Sequence, residues 1–176
     1  KALAIDCEMI EMEKCEAAPT NSGLARLSIV NYDGEVLLDT IVRPPGRILH
    51  CRSKYTGLTY DHFKPENFDV MSFQKAQKLV LDYVRDGHVI VGHALDNDLV
   101  ALNIKNEIPV SQTRDTSRLG TVLEKYGWSS KILGLKKMTE DELGRVIQTG
   151  FHDSVVDARA TMEIYRKYEK ELDQEV

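Results

Sequence analysis

Two acids one residue apart, Asp6 and Glu8, close an apolar run over residues 2–10, Ala-Leu-Ala-Ile-Asp-Cys-Glu-Met-Ile. The run reads as a buried strand, and because strand side chains alternate, both carboxylates leave the same face near its end. Like charges so placed repel, and one takes up a proton unless a hard divalent ion such as Mg²⁺ or Mn²⁺ gathers them into an oxygen shell. For the pair alone, an acidic strand end in water is the competing reading. Further acids bear on the choice. Asp98 follows His93-Ala94-Leu95-Asp96-Asn97 just after the apolar Val89-Ile90-Val91. On a short helix it shares the inward side of Leu95, Leu99 and Leu102, where an acid needs a partner. Asp157 lies at the margin of a last helical stripe made by Ala158, Thr161, Met162, Tyr165 and Leu172, with His152 just upstream. Carboxylates from three separate elements with one histidine are the inventory of two-metal phosphoryl chemistry.

The elements that must position these groups follow from period and punctuation. Residues 11–22 are polar and read as a loop. Residues 24–32 alternate as a strand, Asp33-Gly34 signals a hairpin, and residues 35–42 resume an apolar run, so three antiparallel strands open the fold. Residues 47–65, after Pro44-Pro45-Gly46, read as irregular. Ser72 starts a helix with a stripe at Phe73, Ala76, Leu79, Val80 and Val84, ended by Gly87. Residues 88–92 form a buried strand. Asp96 is placed to cap the short helix that carries Asp98. Residues 112–116 predict another strand, 117–126 and 134–143 two helices, and a last helix runs to about Leu172. Ser154 and Asp157 fit a capping box at its start, a role compatible with metal binding, since a helix N-terminus favours an ionised acid. Strands first, then helices alternating with strands, predict an α/β domain with a mixed sheet.

With 176 residues, 42% hydrophobic and 29% charged, the chain is long enough for one domain with a sizeable core, and its composition is that of an ordinary globular protein. No repeat or linker divides it. No run approaches the roughly 18 apolar residues of a membrane span, and no signal-peptide layout precedes the first strand. A chain that opens on Lys1 rather than Met reads as a monomeric catalytic domain cut from a longer protein. Cys7, Cys15 and Cys51 are odd in number and lack zinc spacing, which fits a reducing intracellular compartment. A net charge of −5 argues against a broad basic face for clamping duplex DNA. It leaves a single strand open, because cations held by the acids can receive phosphate while a few Lys and Arg guide the chain. Arg47, Arg52, Lys54, Tyr55, Tyr60, His62, Phe63 and Lys64 mix cations with rings that stack on bases. Each alone reads equally well as a surface residue, as do Lys136 and Lys137. His50, His62 and His88 read as structural.

Asp-Cys-Glu-Met (6–9), Gly-His-Ala-Leu-Asp-Asn-Asp (92–98) and His-x-x-x-x-Asp-Ala-Arg-Ala (152–160) resemble the three blocks of the DEDDh family of 3′-to-5′ exonucleases. More narrowly, the chain resembles the branch that contains RNA exonuclease 4 and the interferon-stimulated exonuclease. Tyr55-Thr56-Gly57-Leu58-Thr59, Arg114-Asp115-Thr116 and Ile147-Gln148-Thr149-Gly150 extend the likeness over almost the whole chain. The resemblance implies a single exonuclease domain over 1–176. It implies a ribonuclease H-like mixed sheet flanked by helices, the first three strands antiparallel and later strands parallel to the first. It also implies two Mg²⁺ or Mn²⁺ ions and release of nucleoside 5′-monophosphates from a single strand with a free 3′ end, RNA favoured, in the nucleus or nucleolus. By matching positions, Asp6, Glu8, Asp98 and Asp157 are the implied metal ligands and His152 the general base. Met9 and Leu58 are implied to wedge around the terminal base and sugar, with the backbone near Cys7 at the 3′ hydroxyl. Arg52 or Lys54 is expected near a 2′ hydroxyl or phosphate, and His93 either positions substrate or makes a structural hydrogen bond. One departure is Asp153, where the branch usually carries a small residue. A nucleic-acid-binding domain that does not cut, and a phosphodiesterase of small oligonucleotides, are the competing functions.

Overall fold

A computed structural model describes residues 1–127 and 132–176. Strand β1 (Ala2–Met12) lies at the centre, paired antiparallel with β2 (Ser22–Val30), which pairs antiparallel with β3 (Val36–Val42). Asn31 makes the hairpin between β2 and β3: its side-chain oxygen accepts the N–H groups of Asp33 and Glu35, and Gly34 takes the left-handed conformation at φ 83° that the turn demands. A three-residue strand β4 (Ile48–His50) returns antiparallel to the far end of β1, and helix α1 (Ser53–Thr56) follows it. The stretch 47–65, expected to be irregular, therefore holds a strand, a helical turn and a 3₁₀ turn at Tyr60–Phe63. Their brevity leaves no period to read.

Strand β5 (Val70–Met71) pairs parallel with β3, and α2 (Phe73–Arg85) starts at Ser72, whose hydroxyl accepts the Lys75 N–H. Strand β6 (Val89–Gly92) runs parallel to β1, α3 (Leu95–Ala101) follows, and β7 (Thr113–Asp115) runs parallel to β6. The helix expected over 117–126 is a 3₁₀ turn, Thr116–Arg118, and then α4 (Gly120–Lys125). Helices α5 (Leu135–Leu143), α6 (Ser154–Lys167) and α7 (Glu169–Gln174) complete the chain. The last two were expected as one helix. They part at Tyr168, whose hydroxyl and whose neighbour Lys167 both bond Glu142 near the end of α5.

The sheet order is β5-β3-β2-β1-β6-β7, with β4 beside β1. Alternation splits its side chains between two cores. Leu3, Ile5, Leu27 and Ile29 pack with α2 and α3 on one face, while Ala2, Ala4, Val30 and Val91 meet α5 and α6 on the other. Two alanines on the second face leave room for α6 to approach closely. Along that face, Asp6 and Glu8 continue the line of Ala2 and Ala4. Strands β1 and β6 pair only through Ala2–Ala4, and β4 meets β1 only at Glu11 and Met12. Between those contacts one edge of β1 lies open, at the carboxyl ends of the parallel strands where α/β sheets place their crevices.

Candidate active site

Glu8, Asp98 and Asp157 are 7%, 4% and 3% exposed, an unusual depth for carboxylates, and Asp6 is half-buried. Asp6 lies opposite Ser28 of β2, and Glu8 opposite Arg26. Ser28 also pins the start of α6, its hydroxyl 2.6 Å from that of Ser154, so Asp157 on the first turn is brought down over the acids of β1. Carboxylate oxygens of Glu8 and Asp157 and a ring nitrogen of His152 lie within 4.8 Å of one another. Asp98 comes from the opposite side: across the open edge of β1 its Oδ1 accepts the Cys7 N–H at 3.1 Å.

The charges in this cleft oppose one another. Burial, and then Asp98, Asp157 and Glu8, push the Asp6 carboxyl well above the usual carboxylate range. Burial and Asp157 raise Glu8 to about 8, with Arg26 acting the other way. Burial raises Asp98 to about 7 against the bond from Cys7, and Asp157 to about 6 against Gln148 and His152. Asp157 Oδ2 accepts from Gln148 at 3.1 Å, but its Oδ1 is buried with no hydrogen-bond partner among the described residues. A bare buried oxygen among repelling carboxylates is the environment a hard cation satisfies. The residues present fit a divalent metal.

The supports of these groups are mostly remote in sequence. Helix α3 starts at Ala94, left-handed at φ 52°, and is capped by Asp115 at the end of β7, whose carboxylate accepts the N–H groups of Ala94 and Leu95 at 3.0 and 3.1 Å. Asp96, expected as the cap, is half-buried and pairs instead with Lys105 and Arg118. Asp153, not Ser154, caps α6: its Oδ1 accepts from Val155 and Val156, while Ser154 turns inward. The departure from the branch pattern is thus a helix cap, which also lies 3.4 Å from Arg26. His152 is held through its N–H, bonded to the Tyr55 carbonyl at 2.6 Å. Beside it the Phe151 ring fills the space where a Cβ on Gly57 would sit, 2.7 Å away, and Gly57 has φ +69°.

The expected substrate residues fare unequally. Leu58 is buried at the wall of a cavity beside Arg26, and Met9 is half-buried against the first core. In the backbone near Cys7, expected at the 3′ hydroxyl, the Cys7 N–H is engaged by Asp98. Arg52 lays its guanidinium on Ser22 at 3.2 Å, at the start of β2, and Lys54 is exposed beside the Tyr55 ring. His93 turns out structural: Nε2 donates to the Leu133 carbonyl at 2.7 Å and Nδ1 lies 2.8 Å from the Thr116 hydroxyl, which leaves neither nitrogen for substrate. Arg26, Gln148, Asp115 and Asp153 were not foreseen as parts of the site. Only Asp153 carried a signal, as an acid two and three residues before N–H groups of a helical first turn.

A mixed sheet in this order, with acids gathered where β1 and β6 part and delivered by helices on both faces, defines the ribonuclease H-like class of nuclease fold. Residues 3–165 match the exonuclease family, and the chain belongs to it. It is 39% identical over 173 residues to RNA exonuclease 4 of Saccharomyces cerevisiae, covering 98% of this chain and 56% of that protein. It is 40% identical over 179 residues to interferon-stimulated 20 kDa exonuclease-like 2 of Mus musculus, covering 99% and 45%. The branch read from the three sequence blocks is therefore the one the relatives occupy. The chain spans about half the length of these two relatives. Among solved structures it is similar to the Pan2 pseudoubiquitin hydrolase–RNA exonuclease module of Saccharomyces cerevisiae in complex with AACCAA RNA, with TM-score 0.79 and 26% identity over 96% of this chain and 29% of that one.

Proposed function

We propose that residues 1–176 are one catalytic domain, a metal-dependent 3′-to-5′ exonuclease that acts on single-stranded RNA and releases nucleoside 5′-monophosphates. The observation that carries this reading is the Asp157 carboxylate, whose Oδ1 is buried and bare and which has an oxygen within 4.8 Å of ligand atoms of Glu8 and His152. The exonuclease family normally uses divalent metals, and relatives and structural neighbours named for RNA exonucleases point to RNA. Among the described residues, no helix is long and apolar enough to cross a membrane.

In this reading Asp6, Glu8, Asp98 and Asp157 hold two divalent cations, Mg²⁺ or Mn²⁺. When bound, these supply the positive charge that makes water acidic and steadies charge building on the leaving 3′ oxygen. His152 accepts the water proton on a ring nitrogen, the general-base role that a positioned imidazole most often fills. The bond that the His152 N–H donates to the Tyr55 carbonyl fixes the backbone from which the imidazole reaches Glu8 and Asp157. Asp98, bonded to the β1 backbone, keeps its side of the cleft at a set distance from Asp6.

The test is digestion of 5′-labelled single-stranded RNA and DNA oligomers of matched sequence in Mg²⁺. A ladder of products shortened one nucleotide at a time from the 3′ end is expected on RNA, blocked by a 3′-phosphate and lost in Asp6→Asn. Binding without release would make the chain a non-cutting RNA binder. Cleavage confined to dinucleotides would make it a small-oligonucleotide phosphodiesterase.

A further inference from the structure

Phe68 and Phe151 are 43% and 64% exposed, although fully burying a Phe stabilises a fold by roughly 1.5–3 kcal/mol. Far apart in the chain, they line one cavity of about 430 Å³ together with Leu58, Ile41, His62 and Arg26. Both rings are held in place. His62 stacks on Phe68 with centroids 4.6 Å apart at 26°, and Phe151 rests on Gly57. The floor is electrically spent: Arg26 gives two parallel bonds, 2.9 and 3.0 Å, to Asp39 and a third contact to Asp153. Asp69 also lines the cavity. Among the described residues that line it, a phosphate finds no free cation, whereas a flat apolar ring finds stacking faces.

The cavity lies on the same sheet face as the acid cleft, with Arg26 between them. Arg26 pairs across β1 with Glu8 and across β3 with Ile41, so Ile41 lies two strands from Glu8 on the same sheet face, roughly 10 Å at the ordinary strand spacing. A strand cut at Glu8 must run on from there.

We propose that this cavity is a nucleobase subsite: it takes, by stacking on Phe68 and Phe151, one base of the RNA strand upstream of the nucleotide being removed. The proposal rests on the exonuclease reading for its choice of ligand. It makes part of the grip on substrate aromatic and tolerant of sequence, since every base offers a π face. It also gives a chain of net charge −5 a grip on RNA that does not depend on phosphate contacts.

The test is equilibrium binding of 5′-fluorescein single-stranded RNA hexamers in EDTA, where nothing is cut, to the wild-type chain and to Phe68→Ala and Phe68→Leu. One hexamer is intact and the others each carry a single abasic nucleotide at one position. Either substitution is expected to weaken binding of the intact hexamer roughly tenfold, the scale of one base–aromatic stack. An abasic nucleotide at one upstream position should cost as much, and there the two losses should not add. Thermal melts establish that both variants are folded. Additive losses at every position, coupling only at the 3′-terminal base, or no hexamer binding by wild type overturns the proposal. Mononucleotide release in Mg²⁺ is scored separately: release without coupling removes the subsite and keeps the nuclease, and coupling without release keeps the subsite on a chain that does not cut.

Discussion

Asp157 holds its two oxygens in different states, one bonded to Gln148 and one buried and bare. Leaving a buried acceptor without a donor costs about 1–3 kcal/mol, and more when it is charged. The fold carries this cost beside two further buried carboxylates, a penalty with no structural return unless a cation is bound. Asp157→Asn separates the two contributions. The amide keeps the shape and can still accept from Gln148 while it removes one repelling charge. Metal-free, the variant is expected to melt at or above the wild-type temperature. Its gain in melting temperature on adding Mg²⁺ or Mn²⁺ should vanish, and its rate of nucleotide release should drop at least about 100-fold, the scale of losing one fixed electrostatic group from an active site. Thermal melts with and without metal, alongside initial rates on labelled RNA, measure all three. A variant that kept both its metal-induced shift and its rate would remove Asp157 from the ligand set.

At the scale of elements, the site depends on caps that come from far away. Asp115 bonds two N–H groups at the start of α3 and also the Ser117 N–H and hydroxyl, tying β7, α3 and the following turn together. Asp115→Ala frees those donors and is expected to cost about 1–2 kcal/mol in urea unfolding. Because α3 carries Asp98, kcat should fall more than KM rises, and Asp115→Asn should recover part of both; a stability loss with kcat unchanged would detach this cap from catalysis. Such supports were not legible in the sequence. Strand β1 and helices α2 and α6 were, because their apolar residues repeat at the periods of strand and helix over several turns. The acids of β1 were legible for the same reason: spacing by two fixes their common face whatever the rest of the fold does. Asp115 lies about twenty residues beyond the N–H groups it caps, whereas Asp96 stood in the expected place and pairs with Lys105 and Arg118. Arg26 could be placed beside Glu8 only through the register of β1 on β2, which shifts at a bulge between Glu8 and Met9. His93 sits inside a family block, yet its partners, Thr116 in a 3₁₀ turn and Leu133 just before α5, lie 23 and 40 residues further on, where no pattern connects them to it.

For the whole molecule, the cleft ties stability to pH. Helices α3 and α6 hold two of the acids against β1 from opposite faces of the sheet, so the carboxylates cannot separate without unfolding. Folding raises Glu8 to about 8, Asp98 to about 7 and Asp157 to about 6, above the values near 4 that such groups have in an unfolded chain. Between pH 4 and 8 the folded chain therefore binds more protons than the unfolded one, and its stability falls as pH rises. The contribution is fully present below about pH 4 and is lost by the time Glu8 ionises. Asp39 and Glu142 shift the opposite way, held low by Arg26 and by Tyr168 and Lys167 against their burial, so their stabilising share is lost only on acidification below the ordinary carboxylate range. From pH 5 to 8.5 the metal-free protein should lose several degrees in melting temperature, at about 2–4 °C per kcal/mol for a chain of this size. Divalent cations bind the ionised carboxylates, so saturating Mg²⁺ or Mn²⁺ should stabilise most at the alkaline end and flatten or invert the slope. Asp98→Asn should shrink the metal-free slope by removing one of the four raised groups of the cleft. Melting temperatures across that range, with EDTA and with metal, decide the matter: a metal-free curve that stays level or rises with pH would mean that the carboxylates are not held together against their mutual repulsion.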